Sequence, residues 1–400
     1  MLRYIARQPI LNATEETFGY ELLYRAAAES FARISDPEQA ARSVLDDLLT
    51  LGIRELARGR HAFLNCTQEL LSRRLVKLLP TSHVVLEILE TIIPDHDLLQ
   101  SCSELKAAGY TLALDDFLPG SNTLPLVEFA DYIKIDFRAL GVAECRELVH
   151  QFGRKVDFVA EKIETRAEYA AAQEMGCTLF QGYFFSEPAL LTVRNIPGID
   201  ANYIRLLAAT CKSDFDFSEI EAIIKSDVAL SYKLLRFLNS AAFCLRSNIN
   251  SMRQGLVILG ENAIRRWVAV SAAATAAKDK PPELLSTALL RARFCELLAV
   301  SAKCNPYRGF VVGLFSLIGA LLDMPLEDVL AQVVLPDETQ AALLGQPGRL
   351  RTLLDLVRAY IEGDLRVMGA KASELDVLQP QVTSCYLEAV RAVDSLMTVM

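Results

Sequence analysis

Across its first half the chain alternates short apolar runs with longer amphipathic stretches. The clearest run, Thr111–Leu114, has no polar alternation, which predicts a strand covered on both faces. Similar runs recur, and each ends on polar residues. HAFLNCT reaches Asn65, VVLEILE carries Glu87 and Glu90, and YTLALDDF delivers Asp115 and Asp116. YIKIDF carries Lys134 and Asp136, DFVAEKIE carries Glu161 and Glu164, and TLFQGYFF carries Gln181. Helical periods over 67–79, 94–109, 139–152 and 165–176 separate them. An open doubly wound sheet gathers functional residues at one switch point. Polar residues at the C-terminal ends of so many successive strands suit a closed, TIM-like α/β barrel, whose site lies at that face.

Residues 4–10 and 18–24 predict two further strands around a turn at 12–17. In the second, YELLYR spaces Glu21 and Arg25 four apart, on one strand face. There they form an ion pair or, in a barrel that collects carboxylates, hold a metal and a phosphate. Residues 36–59 read as helix, with Asp36 as N-cap and Pro37 at the first helical position.

Beyond Asn195 strand-like blocks give way to helical periods at 217–225, 227–240, 251–259 and 262–277. After a break at KDKPP (278–282), helices resume over 283–302 and 309–322. The tail from 350 to 400 reads as helix interrupted near Gly363, Gly369 and Pro380. The expected organisation is an α/β barrel domain over 1–194 and an all-α domain over 195–400, with the boundary near 194–197.

Composition narrows the function classes. A 400-residue chain with 52% hydrophobic residues has room for two cores and little disorder. No apolar run approaches the ~20 residues of a membrane span, and MLRYIARQ lacks a signal-peptide core. A net charge of −9 disfavours general nucleic-acid binding. Nine scattered cysteines without a CxxC pair are expected to be small buried side chains in a reducing cytoplasm.

Glu21, Asn65, Glu87, Asp115, Asp116 and Glu161 are hard oxygen donors of the kind that hold Mg²⁺ or Mn²⁺. The adjacent Asp115 and Asp116 repel each other and lose hydration at a strand end, so a cation is the expected compensation. The plainer alternative is a helix N-cap beside one solvated acid. With Lys134 and Arg25 nearby, such a site suits a phosphoryl substrate, and Lys134 either positions water and stabilises charge or pairs with Asp136. Enolisation of a carboxylate substrate is the competing chemistry. His61 and His83 fall at strand starts, the wrong end of a barrel, and read as structural. There is no GxxxxGK phosphate loop, and no residue set suggests a Ser–His–Asp triad.

In order along the chain, YELLYR (20–25), LN (64–65), LEILE (86–90), ALDDF (113–117), IKID (133–136), AEKIET (160–165) and QGYFFSEP (181–188) resemble the motifs of the EAL domain family, the cyclic-di-GMP phosphodiesterases. The resemblance implies hydrolysis of cyclic di-GMP to the linear dinucleotide with Mg²⁺ or Mn²⁺. By that resemblance Glu21, Asn65, Glu87 and Asp115 hold one metal, Asp116 and Glu161 serve a second metal and its water, and Lys134 assists the nucleophile. Arg25, Leu23 and Gln181 take the substrate side, while Glu90 and Glu164 are accessory acids, Glu90 anchoring the loop after Asp116. That loop departs from the family pattern: Leu118, Pro119, Gly120, Ser121 and Asn122 replace a Gly-Thr-Gly-Tyr-Ser-Ser type segment. Pro119 fixes φ and removes a donor, so this loop cannot keep the same hydrogen bonds. In the family the loop couples metal binding to dimerisation, which leaves a homodimer open. Lys162 stands where relatives commonly carry Gly. Retention of every motif acid favours a phosphodiesterase, whereas the altered loop favours a weak or inactive barrel acting as a cyclic-di-GMP receptor or scaffold.

Residues 223–243 and 255–268 resemble the HDOD domain, an altered relative of HD-type phosphohydrolases. Where HD enzymes carry a His–Asp pair, GLFSLIG offers Phe315 and Ser316, and no histidine follows His150. The resemblance implies a non-catalytic module that meets a protein partner. Arg236, Arg246, Arg253, Arg265 and Arg266 make 233–266 locally basic, either as solvated helix surface or as a docking patch.

Overall fold

Eight strands, each grown from one of the apolar runs, close into a barrel in chain order. They are β1 (Arg3–Asn12), β2 (Thr17–Ala26), β3 (His61–Cys66), β4 (Val84–Ile88), β5 (Thr111–Leu114), β6 (Tyr132–Asp136), β7 (Asp157–Glu161) and β8 (Leu179–Gln181). The computed structural model describes residues 3–26, 52–72, 75–186, 205–206, 209–210, 215–238, 252–278, 280–333 and 335–399. The predicted helix at 36–59 lies outside the described residues as far as 51, and of 52–59 only Ile53–Leu56 is helical, because Arg58 and Gly59 take positive φ and turn the chain. The boundary at 194–197 lies outside the described residues.

Strands β2 to β8 are parallel, but β1 runs antiparallel to both β2 and β8. The cause is local. The Asn12 Oδ1 accepts the backbone N–H of Thr14 and of Glu16, each at 2.9 Å, and turns the chain straight back into β2. The barrel is therefore a (β/α)8 barrel with one reversed strand.

Its interior is layered. Ile10, Phe63, Val85, Ala113, Val159 and Leu179 form a buried apolar cluster against which Phe18 and Tyr132 pack. Outside, the helices His96–Ala107, Val142–Phe152 and Arg166–Met175 turn Leu98, Leu105, Leu148 and Tyr169 inward. Their starts follow from capping. Asp95 accepts the Leu98 N–H at 2.7 Å, and Thr165 with Glu168 forms a reciprocal capping box.

Packing divides the chain into two units. One is Met1–Glu187 with Arg358–Ala370 and Leu378–Leu387; the other is Pro188–Val357 with Lys371–Val377 and Glu388–Met400. The division at 194/195 read from the sequence thus differs from the packing at two C-terminal segments, which count with the barrel. In the helical unit Gly313 lets Pro306–Phe315 approach Pro282–Ser301, since a Cβ there would lie 2.5 Å from the Arg291 carbonyl oxygen. The period at 309–322 is two helices, Pro306–Phe315 and Ile318–Leu322. Gly369 does not interrupt Leu365–Glu374, and Pro380 starts a helix, Gln379–Val399, because its missing N–H is harmless in a first turn. No helix among the described residues is long and apolar enough to cross a membrane.

Gly182 follows β8 at φ +146°, and a Cβ there would stand 2.0 Å from the Ile163 carbonyl oxygen. Gly182→Ala is therefore expected to destabilise the barrel by roughly 2 kcal/mol or more. The check is thermal melting, where an unchanged midpoint would show that the Ile163 segment yields without cost.

Candidate active site

The apolar layer sets the site directly above it. One residue pair further along each parallel strand, the inward position becomes polar: Phe63 gives way to Asn65, Val85 to Glu87, Ala113 to Asp115, Tyr132 to Lys134, Val159 to Glu161 and Leu179 to Gln181. Glu21 joins this ring from β2. The C-terminal mouth of the barrel is thus a closed layer of acids and amides.

Lys134 stands at its centre, only 1% exposed. Its Nζ lies 2.8 Å from Glu87 Oε1, 2.8 Å from Glu161 Oε1, 2.9 Å from Asp115 Oδ1 and 3.3 Å from Glu21 Oε2. An ammonium has three N–H donors, so it cannot satisfy four carboxylates at once. Glu87 shows the shortfall: its Oε1 has only the contact with Nζ, and its Oε2 is buried without a hydrogen-bond partner. Asn65 donates to Glu21 Oε1 at 3.0 Å, and its own Oδ1 is buried without a partner. Gln181 donates to Glu21 Oε2 at 2.7 Å.

These contacts set the charges. Burial pushes the Glu87 carboxyl well up, Lys134 opposes it, and Glu21 and Asp115 reinforce the rise. Burial also raises Asp115, and it lifts Glu161 to about 8 against the pull of Lys134. For Glu21, burial is outweighed by Lys134 and by hydrogen bonds from Gln181 and Asn65, which together hold it low. Burial alone would lower Lys134, but Glu161, Glu21, Glu87 and Asp115 hold it well above the usual lysine range. The layer carries more carboxylate than one ammonium can neutralise. Buried hard oxygens that lack partners, on Asn65 and Glu87, are the donors a divalent cation takes. As they stand, the acids close on Lys134, and no three of them meet at metal-ligand spacing among the described residues.

Asp116 is not in this ring. With φ +40° it turns away to Lys162, whose Nζ is 3.3 Å from Asp116 Oδ1 and 2.5 Å from Asp136 Oδ2. Lys162 itself has φ +55°, a left-handed conformation that costs an L-residue about 1–2 kcal/mol. Asp136 does not pair with Lys134, contrary to one of the readings above. It caps the helix Phe137–Leu140, accepting from Arg138 and Ala139, and its pKa is held low by Lys162 and those N–H groups despite burial.

Of the remaining candidates, Leu23 is half-buried on β2, and the Arg25 side chain lies outside the described residues. Glu164 pairs with Arg138 away from the ring. Glu90 is exposed, and among the described residues no hydrogen bond ties it to the 118–122 loop. That loop closes on itself through Ser121 N to Leu118 O at 3.1 Å and Ser121 Oγ to Thr123 Oγ1 at 2.9 Å. His61 stacks on Phe18 at the opposite end of the barrel, as a structural histidine should. Gln8 was missed: it accepts from Gln181 at 2.9 Å. Its signal is an amide two residues before the inward Ile10, the reverse of the order in the parallel strands because β1 runs backwards.

In the helical unit Phe315 is buried, and Ser316 spends its hydroxyl on the Gly313 carbonyl at 2.7 Å. The basic stretch is largely neutralised where it is described. Arg253 pairs with Glu221, Arg265 pairs with Glu261 and lies over the Phe215 and Tyr307 rings, and Arg266 pairs with Glu296. Arg246 and the Arg236 side chain lie outside the described residues.

Comparison with known proteins finds two domain families along the chain. The family model of the EAL domain matches residues 42–188, and that of the HDOD domain matches residues 196–346. Strands β1 and β2, with Glu21, precede the first match and yet complete its barrel. Cyclic di-GMP phosphodiesterase CdgJ of Vibrio cholerae is 37% identical over 396 residues, covering 97% of this chain and 91% of that protein. Uncharacterized protein YuxH of Bacillus subtilis is 35% identical over 405 residues, covering 98% of each. The chain belongs to the family of proteins that join an EAL domain to an HDOD domain.

Proposed function

We propose that the chain is a metal-dependent phosphodiesterase that opens cyclic di-GMP to the linear dinucleotide, with a helical half that acts by contact. The observation that carries this reading is the ring of three buried carboxylates and the half-buried Asp115 around a single lysine, with Asn65 Oδ1 and Glu87 Oε2 left without hydrogen-bond partners. Kinship with a protein named a cyclic di-GMP phosphodiesterase supplies the substrate.

In this reading Glu21, Asn65, Glu87 and Asp115 hold one divalent cation, and Asp116 with Glu161 serves a second. Mg²⁺ or Mn²⁺ suits the all-oxygen set. Such cations supply Lewis-acid stabilisation at phosphorus and make bound water a better nucleophile. The chain's own part is positional. Lys134 keeps the acids converged and offers its ammonium to charge developing on the phosphoryl oxygens. Asn65 and Gln181 orient both oxygens of Glu21, so its carboxylate cannot swing away. By the family resemblance Arg25 and Leu23, both in β2, serve the substrate. The helical half has no histidine, so it holds no histidine-dependent metal site, and its part in this reading is contact with a protein partner.

Purified chain incubated with cyclic di-GMP and Mn²⁺ or Mg²⁺ is expected to yield the linear dinucleotide, and chelation with EDTA to stop it. Intact cyclic dinucleotide in every metal condition would contradict the proposal. Glu21→Ala and Asp115→Asn should each abolish turnover and weaken Mn²⁺ binding, measured by calorimetry, by at least ~10-fold. Unchanged affinity in both proteins would remove these residues from the metal site.

Asp116 makes a separate prediction because it stands outside the ring. Asp116→Asn is expected to cut turnover while leaving the tighter Mn²⁺ site intact. Loss of that tighter site would instead place Asp116 with Glu21 and Asp115.

A further inference from the structure

Glu21 is also held from β1, which lies outside the EAL match at 42–188. Gln8 lies opposite Glu21 in the antiparallel β1–β2 register. It also obeys the layering rule in reverse, two residues before the apolar-layer residue Ile10 and not after it, as an antiparallel strand requires. Gln8 Oε1 accepts from Gln181 Nε2 at 2.9 Å, and the same Nε2 donates to Glu21 Oε2 at 2.7 Å. On its other side, Gln8 Nε2 donates at 3.3 Å to the backbone oxygen of Glu362, the last residue of the helix Arg349–Glu362.

The polarity of this chain of bonds is fixed at both ends. An ionised carboxylate and a backbone carbonyl only accept. Gln181 must therefore turn its NH₂ toward Glu21, which leaves only the Gln8 carbonyl to meet the same NH₂. The Gln8 NH₂ is then directed to the helix carbonyl. Neither amide can flip without placing oxygen against oxygen. The helix end is itself tied down within the barrel unit. Tyr183, two residues past Gln181, donates its hydroxyl to Ile361 O at 3.3 Å, and the Arg7 N–H donates to the Tyr386 hydroxyl at 3.1 Å. Tyr386 packs against Tyr360, with ring centroids 4.9 Å apart. Gly363 then ends the helix at φ +80°.

We propose that Gln8 is a positioning residue of the active site, and that the C-terminal end of the helix Arg349–Glu362 is a working part of the catalytic barrel because it fixes Gln8, which fixes Gln181 on Glu21. The proposal rests on the reading of Glu21 as a metal-holding carboxylate. It adds that residues far beyond the EAL match at 42–188 set the geometry of that carboxylate.

The test uses the full chain. Gln8→Leu removes both arms of the amide and should lower kcat roughly tenfold, the scale of one lost hydrogen bond supporting a charged group. KM for cyclic di-GMP should stay within about twofold, because both ends of the Gln8 amide are engaged by protein groups. Gln181→Leu combined with Gln8→Leu should be no worse than Gln181→Leu alone, since one acts through the other. Losses that multiply, or an unaffected kcat in Gln8→Leu, would overturn the proposal. Gly363→Ala disturbs the helix end, and Tyr183→Phe releases it more gently. Either should reduce kcat in the wild-type background and have no further effect in Gln8→Leu. Equal losses in both backgrounds would remove the helix from the account. A crystal structure of Gln8→Leu decides the matter independently of turnover. Gln181 should leave Glu21, and a retained Gln181–Glu21 hydrogen bond would overturn the proposal even if the chain hydrolyses nothing.

Discussion

The Lys134 ammonium is the interaction on which the mouth of the barrel depends. It is 1% exposed, and four carboxylates from β2, β4, β5 and β7 converge on it. Without it those acids would be buried together with no positive charge, which neither burial nor mutual repulsion allows. With it they are still undercompensated, because one positive charge faces up to four negative ones. Removing one partner of a buried ion pair typically costs 3–5 kcal/mol, and the desolvation of so many charges can exceed what their attraction returns. The apolar layer beneath it, from Ile10 to Leu179, closes the barrel below the charge and keeps that side dry.

Most of this was legible in the sequence because barrel geometry turns a period of two into a layer. Asn65, Glu87, Asp115, Lys134, Glu161 and Gln181 each follow an apolar inward residue by two positions, and the C-terminal strand ends gather them. What was not legible came from direction and backbone shape. Gln8 belongs to the same layer, but its strand is reversed by the Asn12 turn, so it precedes its apolar partner where the others follow theirs. The pairing of Asp116 with Lys162 depends on positive φ at both residues, which a list of residue types does not display. The left-handed conformation at Lys162 also gives a physical reason for a glycine there. In this chain ion pairs to Asp116 and Asp136 help offset the strain.

The C-terminal segments were read as part of the helical domain because composition marks them as helix, and composition says nothing about which core a helix joins. Packing assigns Arg358–Ala370 and Leu378–Leu387 to the unit that holds the barrel. The helical unit shows the opposite lesson. The absence of histidine after His150 excludes a histidine-dependent metal site from sequence alone. Its arginines allowed two readings, solvated surface or docking patch, and among the described residues Glu221, Glu261 and Glu296 lie against Arg253, Arg265 and Arg266.

The central claim is that the barrel mouth is a cluster of buried acids missing positive charge, and that a divalent cation supplies it. Thermal melting of the wild-type chain and of Lys134→Ala, each with and without Mn²⁺, tests this most directly. Lys134→Ala should melt well below wild type without metal and gain more from Mn²⁺ than wild type does, because the cation then carries the whole compensation. A Lys134→Ala protein as stable as wild type without metal, or one that Mn²⁺ does not stabilise, would contradict the account.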